Sequence, residues 1–477
     1  MNVRRTPIVV ALLVALVVAI IVGNANASTR HGATASTEAV TMPAAGVQSS
    51  AWFCPGAPPS VPISTESITV SNTGSAPADA DLTVYPDRRS APVHQRVRVP
   101  ARSVQTLRRV ALGPAGALVA ETFSRAVLVE SGIQSRASLA LTPCATQASS
   151  SWYFAAGGTP RGVSQWLVLD DPFAADAKVD IVLHTNAGRR EPDQLHGFDV
   201  ARRSRAVIPI HDFAVRMNVV AVEIHARVGR IVAEQTLLYG ADSGARGVAV
   251  SLGQPVPSTV SYFADGLVAT GSSASVTVAN VGTTDTDVQL EAFPGGAVGL
   301  APVTLALPRD AVVRVPIGGC RPSPTTPCVP VPARTGYSLR VRAMADVPLV
   351  VEVLQRGSRS NNGAAIVSGA ERPARGWMFA RSRVTGETGG RVVFTNPGAT
   401  DAHVAVAFVS AGRVYQPATL RALRVPPGVR VPVDLGRVAG IPRSDAAIVV
   451  TADRDVVAEQ TLVTAADLTR SAGVPIR

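Results

Sequence analysis

A chain of 477 residues exceeds what one hydrophobic core organises, so several domains are expected. With 46% hydrophobic and 17% charged residues, and valine and alanine abundant, the composition excludes a disordered chain and suits packed strands. The formal charge of +11 rests on scattered arginines, Lys178 being the one lysine, which excludes the dense basic block of a nucleic-acid-binding arm.

Arg4 and Arg5 precede an apolar run from Ile8 to Val22, and Ala25-Asn26-Ala27 follows before Ser28. A basic start, an apolar stretch and an Ala-x-Ala site make residues 1–27 an export signal cleaved after Ala27 or, on the second reading, an uncleaved membrane anchor. Either way the remainder is expected outside the cytoplasm. Residues 28–50, small and polar, read as a flexible stalk.

From Trp52 onward the chain repeats itself. Trp52, Trp152, Ser261 and Trp377 recur at intervals of about 100–116 residues. Each is followed about 19 residues later by a turn residue, Asn72, Asp171, Asn280 or Asn396. Each unit then has a hairpin, proline-marked in three copies, and a late apolar strand carrying one acid, Glu130, Glu234, Glu352 or Glu459. The period matches whole small domains, which divides the chain into 51–148, 149–257, 258–373 and 374–477. Within a unit, apolar and polar residues alternate over short runs bounded by Gly, Pro, Asn or Asp, as in Ser67–Ser71 and Arg96–Val99. About seven such runs per unit predict an all-β fold of tandem immunoglobulin-like antiparallel sandwiches. Asparagine caps the turn, and the glycine two residues on (Gly74, Gly282, Gly398) is expected to supply a positive φ; with Phe173 there, the second copy's turn should differ in shape.

The four cysteines, Cys54, Cys144, Cys320 and Cys328, allow three pairings. Position favours Cys54–Cys144, at the two ends of one repeat, and Cys320–Cys328, closing the proline-rich insertion Arg321–Pro332. A metal site is the weaker rival, since no Cys-x-x-Cys or nearby histidine accompanies them.

The exported part resembles a family of secreted actinobacterial proteins catalogued as domain of unknown function 5719. The export signal, Trp52-Phe53-Cys54-Pro55-Gly56, the Asn-x-Gly turns and the Val-Ala-Glu-Gln strands carry the resemblance. It implies an envelope protein and a setting among glycosyltransferases, and it brings no catalytic residue. The single repeats are also similar to bacterial Ig-like adhesion modules, a likeness that names no function.

Motifs for a serine esterase, zinc protease, Walker loop or Rossmann fold are missing. His184, His196, His211 and His225 cluster in the second copy, and surface-strand positions outweigh a metal or catalytic role for them. The repeated glutamates read as structural, paired with arginine or backbone amides, since one carboxyl per domain makes no acid/base pair unless the domains close into a ring. Trp52, Trp152 and Trp377 read as core aromatics in preference to sugar platforms. Trp166, outside the repeat pattern, is the better candidate for an exposed binding aromatic. Arg96, Arg98, Arg340 and Arg342 mark a basic strand face that could meet an anionic polymer. The expected function is a non-catalytic envelope scaffold or binder of cell-wall polymer or a partner protein, with membrane contact through the N-terminus, and neither cofactor nor nucleic acid. The alternative is an envelope enzyme, or accessory subunit, acting on wall glycan.

Overall fold

Four β-sandwiches account for almost all of the computed structural model, which describes residues 38–44, 49–87, 90–135, 139–244, 246–295, 299–323, 326–357, 363–382, 388–465 and 467–476. The export segment 1–27 and part of the expected stalk lie outside the described residues. In the first repeat one sheet runs Ser50–Cys54, Gly116–Thr122, Ala78–Pro86, Val93–Val99 in spatial order. The other runs Ser103–Arg108, Glu66–Asn72, Val127–Gln134, Leu139–Pro143, with all neighbours antiparallel. The third repeat copies this plan of four strands facing four. In the second, the strand equivalent to Val93–Val99 is broken into two short pieces.

The fourth repeat breaks the same strand, into Arg413–Tyr415 and Leu423–Val425, and departs in a further respect. Its strand Ala446–Thr464 pairs with Ala402–Ser410 through its first half and with Thr388–Thr395 through its second, so one strand serves both sheets. At the crossing the chain reads Ala452-Asp453-Arg454-Asp455, whereas the second and third repeats place Gly229 or Pro348 there. The first repeat breaks there too, at residues 123–126, without either residue.

Period-two alternation is clear on the outer sheets: Ala78, Ala80, Leu82 and Val84 are buried between half-exposed neighbours. On the other sheet the expected half-buried pattern fails. Ser67, Thr69 and Ser71 are buried along with Ile68 and Val70. Ser71 Oγ donates to Ala380 O of the fourth repeat at 2.5 Å. The polar face of this strand is therefore an interface.

That contact is part of a closed ring. At two junctions one repeat's outer sheet meets the hairpin of the next: His184 Nδ1 lies 3.1 Å from Asp310 O between the second and third, and Gly412 N donates to Arg102 O at 2.9 Å between the fourth and first. The final strands Leu139–Pro143, Gly247–Leu252, Ala364–Ser368 and Leu468–Ala472 pack successively against one another about a central pseudo-fourfold axis. Residues 38–477 accordingly form one compact unit. Residues 38–43 are no flexible stalk: Val40 and Met42 are buried, and Met42 N donates to Pro475 O at 3.0 Å.

Both favoured disulfides are present, Cys54–Cys144 with Cα atoms 4.8 Å apart and Cys320–Cys328 at 6.3 Å. Two disulfides fit an oxidising, extracytoplasmic compartment. Among the described residues no helix is long and apolar enough to cross a membrane. The proline-rich insertion is only partly solvated, since Cys328, Val329 and Val331 are buried against the third core.

Candidate binding site around a pseudo-fourfold axis

The repeated glutamates occupy the junctions between sandwiches. Glu352 Oε2 accepts from Ala155 N and Ala156 N of the second repeat, at 2.8 and 2.7 Å. Glu459 does the same one repeat on, with Ala264 N at 2.9 Å on Oε1 and Asp265 N at 3.2 Å on Oε2. Glu352 and Glu459 thus cap the end of the preceding repeat's first strand, where the chain leaves its sheet with main-chain donors to satisfy. All four glutamates are buried, Glu352 completely. Burial pushes Glu459 up to about 7 against the pull of Arg470, and Glu130 and Glu234 to about 8. Each acid serves its own junction, so ring closure does not turn them into an acid/base pair.

Arginines complete these junctions, and sequence reasoning missed them. Arg205 forks onto Asp87 (2.7 and 3.0 Å) and donates to Pro55 O and Ala57 O. Arg314 donates to Asn218 O and Gly157 O, at 2.8 and 2.6 Å. Asp265, fully buried, receives Arg391 at 2.7 Å, Arg430 at 2.5 Å and Thr461 Oγ1 at 2.6 Å. Burial alone would raise this carboxyl, but the guanidinium groups hold it well below the usual range. The available signal was an arginine among β-branched residues, as in Val312–Ile317 and Arg430–Asp434.

On the axis itself, Asp467 takes main-chain N–H groups from all four repeats. Oδ2 accepts from Leu139 at 2.8 Å and Val248 at 3.4 Å; Oδ1 accepts from Ala364 at 3.2 Å and Leu468 at 2.8 Å. These four residues begin the four final strands, so one carboxyl closes one end of the axis. Burial pushes it up to about 7 while the four donors pull it down. Around the other ends of the same strands lies a funnel of about 140 Å³, lined by Thr142, Ser251, Val367 and Ser471 at equivalent positions, with Val40 at its side.

The remaining expected sites fall as follows. Trp52, Trp152 and Trp377 are buried core residues, and the Trp152 and Trp377 indoles donate to Ile231 O (2.7 Å) and Val456 O (2.9 Å). Trp166 is half-buried, its ring edge-on to His211 at 5.0 Å, and so is not the freely exposed aromatic expected. Asn72, Asn280 and Asn396 each tie the turn to the hairpin; Asn396 Nδ2 donates to Thr400 O at 2.8 Å and Val425 O at 2.9 Å. The glycines after them do not have positive φ. A Cβ there would lie 3.0–3.2 Å from the asparagine Oδ1, so close approach is the reason for glycine. Phe173 N still donates to Asp171 Oδ1 at 2.9 Å, which keeps the turn's first contact. What aspartate loses is the donor, leaving Asp171 Oδ2 buried without a partner among the described residues.

Arg96 forks onto Asp81 at 2.6 and 2.7 Å, Arg98 lies 3.9 Å from Asp79, Arg340 pairs with Glu291, and Arg342 donates to Gln289 at 2.7 Å. These are cross-strand pairs, which partly neutralise the expected basic face. Two of the four clustered histidines converge on one acid. Glu223 lies 2.7 Å from His184 Nε2 and 2.5 Å from His225 Nε2, and His225 Nδ1 lies 3.1 Å from Ser151 Oγ. Burial would raise Glu223, but the two imidazoles bring it down to about 2. His196 sits by Asp180, and His211 by Gln165 O. No group of acids, histidines or cysteines among the described residues is arranged to hold a metal.

Residues 114–326 match the model of a family of unknown function, DUF5719. This match, over a little under half of the chain, supports the expected family of unknown function. No curated protein matches the chain. Among solved structures, a tetra-tandem repeat from the extending region of a large adhesion protein aligns at 11% identity, covering 89% of this chain and 99% of its own, with a TM-score of 0.11. An alpha-2-macroglobulin mutant from Salmonella aligns at 9% identity over 90% of this chain and 40% of its own, with a TM-score of 0.15. A marsupial T cell receptor aligns at 11% over 68% and 98%, with a TM-score of 0.10. At these scores none carries an argument.

Proposed function

We propose that this protein is an extracytoplasmic, non-catalytic binding scaffold of the cell envelope, which presents the rim and grooves of a rigid ring to wall polymer or a partner protein. The observation that carries this reading is the closure of four sandwiches into one ring, with buried charges spent on the junctions. A ring pinned in this way holds surface loops at fixed mutual distances, which favours binding an extended partner at several points. In this reading residues 1–27 export the chain and are cleaved after Ala27 or kept as an anchor; the two disulfides support export. The test is co-sedimentation of the full chain with insoluble envelope fragments at low and high salt. Retention that weakens with salt supports polar recognition; no retention at either salt contradicts the wall-polymer form.

A second reading, an enzyme or accessory subunit acting on wall glycan, rests on Ser151, His225 and Glu223. Ser151 and His225 are cross-strand partners, and Glu223 lies two residues from His225 on the same strand, which is itself enough to bring the three together. If Ser151→Ala abolished glycan cleavage by the purified chain, that reading would replace the first.

A further inference from the structure

The four junctions are not alike on their outer side. Tyr85, His184, Phe293 and Val409 occupy equivalent positions on the outer sheets, and the first three lie beside the hairpin tip of the next repeat. The tips are equivalent too: Arg102, Arg203, Asp310 and Gly428 all have φ between 50° and 68°. At two junctions strand and tip touch directly, through His184 with Asp310 O and Gly412 with Arg102 O. At the other two a groove stays open. Between the first and second repeats it encloses about 410 Å³; between the third and fourth, about 260 Å³. Only the larger reaches the size usual for small-molecule sites, roughly 300–1,000 Å³.

The larger groove also differs in chemistry. Its wall is the half-buried ring of Tyr85, and its rim carries the hydroxyls of Ser90 and Ser204. Asp176 lies on the rim but is engaged by Arg202 N at 2.9 Å. Arg203 is exposed at the tip, and its guanidinium has no acceptor among the described residues. It is near enough to Tyr85 for its charge to oppose the rise that burial imposes on the phenol. The smaller groove has Phe293 and Tyr262, but its arginine, Arg340, is already paired with Glu291 and lies over the Phe293 ring at 6.0 Å.

We infer that the groove between the first and second sandwiches is a saccharide site selective for acidic sugars, with Tyr85 stacking on the sugar face and Arg203 pairing with its carboxylate. This rests on the wall-polymer reading above and names its ligand class. An aromatic face matches the apolar C–H face of a pyranose, serines match its hydroxyls, and an unpaired guanidinium selects a carboxylate by fork geometry. Arg203 also supplies a clean variant: at φ 50° glycine fits better than any side chain, so Arg203→Gly removes the cation without straining the tip.

The experiment is affinity gel electrophoresis of the full chain in polygalacturonate, in neutral dextran and in polyphosphate. The inference expects retardation by polygalacturonate well above dextran, weakened about tenfold by Arg203→Gly and by Tyr85→Ala, and unchanged by Phe293→Ala. Tyr85→Phe keeps the ring and should retain most of the affinity, which separates stacking from a folding defect. Polygalacturonate binding that ignores Arg203→Gly overturns the site. Polyphosphate binding as strong, and indifferent to Tyr85→Ala, overturns the sugar assignment. No retardation by polygalacturonate also overturns it, while envelope co-sedimentation independently decides the broader scaffold reading.

Discussion

The first and third repeats solve the same two structural problems with different chemistry. In the third, Phe263 packs where its first strand meets its last, and Gly369 makes room: a Cβ there would lie 2.8 Å from the ring. The second and fourth repeats use Phe154 on Gly253 and Phe379 on Gly473 in the same places. The first repeat has Cys54 for the aromatic and Cys144 for the glycine, joined covalently. The next residues differ as well. The third repeat offers Ala264 N and Asp265 N to Glu459. The first has Pro55, which has no N–H. Its junction runs with the opposite polarity: Arg205 donates to Pro55 O and Ala57 O, at 2.7 and 2.9 Å, and Glu66 takes Ala57 N at 3.2 Å. One fold position thus accepts either a crosslink or an aromatic clamp, and either an acid or a guanidinium, provided the main-chain groups are satisfied.

The largest expected effect comes from the clamp. Replacing both Cys54 and Cys144 with alanine should cost about 4 kcal/mol in urea unfolding, the scale for closing a loop of this length. Cys54→Phe with Cys144→Gly should recover about half of it, if the two clamps are interchangeable. Next are the junction acids. Glu459→Gln removes the charge facing Arg470 (2.7 Å away) and turns an amide toward a main-chain donor, for about 3 kcal/mol. Glu234→Gln, at the junction with no paired donors, should cost nothing at neutral pH and should stabilise instead, because glutamine removes the ionisation that favours the unfolded chain. Equal losses for the two would erase the distinction. Gly369→Ala pushes a methyl into Phe263 and should cost about 1–3 kcal/mol, measured by thermal unfolding.

The smallest and most specific effect is in pH. Glu234 is at about 8 in the fold and near 4.5 unfolded. Its contribution is complete below the unfolded value and is lost as pH rises toward 8, because only the unfolded chain ionises across that window. The slope is at most ~1.4 kcal/mol per pH unit. Urea midpoints between pH 5 and 8 should fall less steeply in Glu234→Gln than in the parent, and an unchanged slope would place the titrating group elsewhere.

Much of the fold was legible because its local requirements recur. Tryptophan starts, asparagine turns and alternating strands each appear in at least three copies, and the two cysteine pairs lie where one repeat or one loop would close. Ring closure was not legible. It depends on residues not shared by all four junctions, such as Arg205, Arg314 and Asp265, and on Asp467, which takes donors from all four repeats. Alternation also misled: Ser67, Thr69 and Ser71 read as a solvent face, but period two cannot distinguish water from a neighbouring sandwich's polar backbone. The four glutamates read as structural, paired with arginine or backbone amides, but not as marking contacts between repeats. A carboxyl between valines and alanines on a central strand needs a buried partner, and four at one offset imply four like junctions.

Closure of the ring is the central claim, and small-angle X-ray scattering of the full chain tests it most directly. Four sandwiches closed about one axis predict a radius of gyration of about 23 Å, the value for a single compact body of this length. Four sandwiches strung end to end would give about 40 Å or more, and that result would contradict the ring.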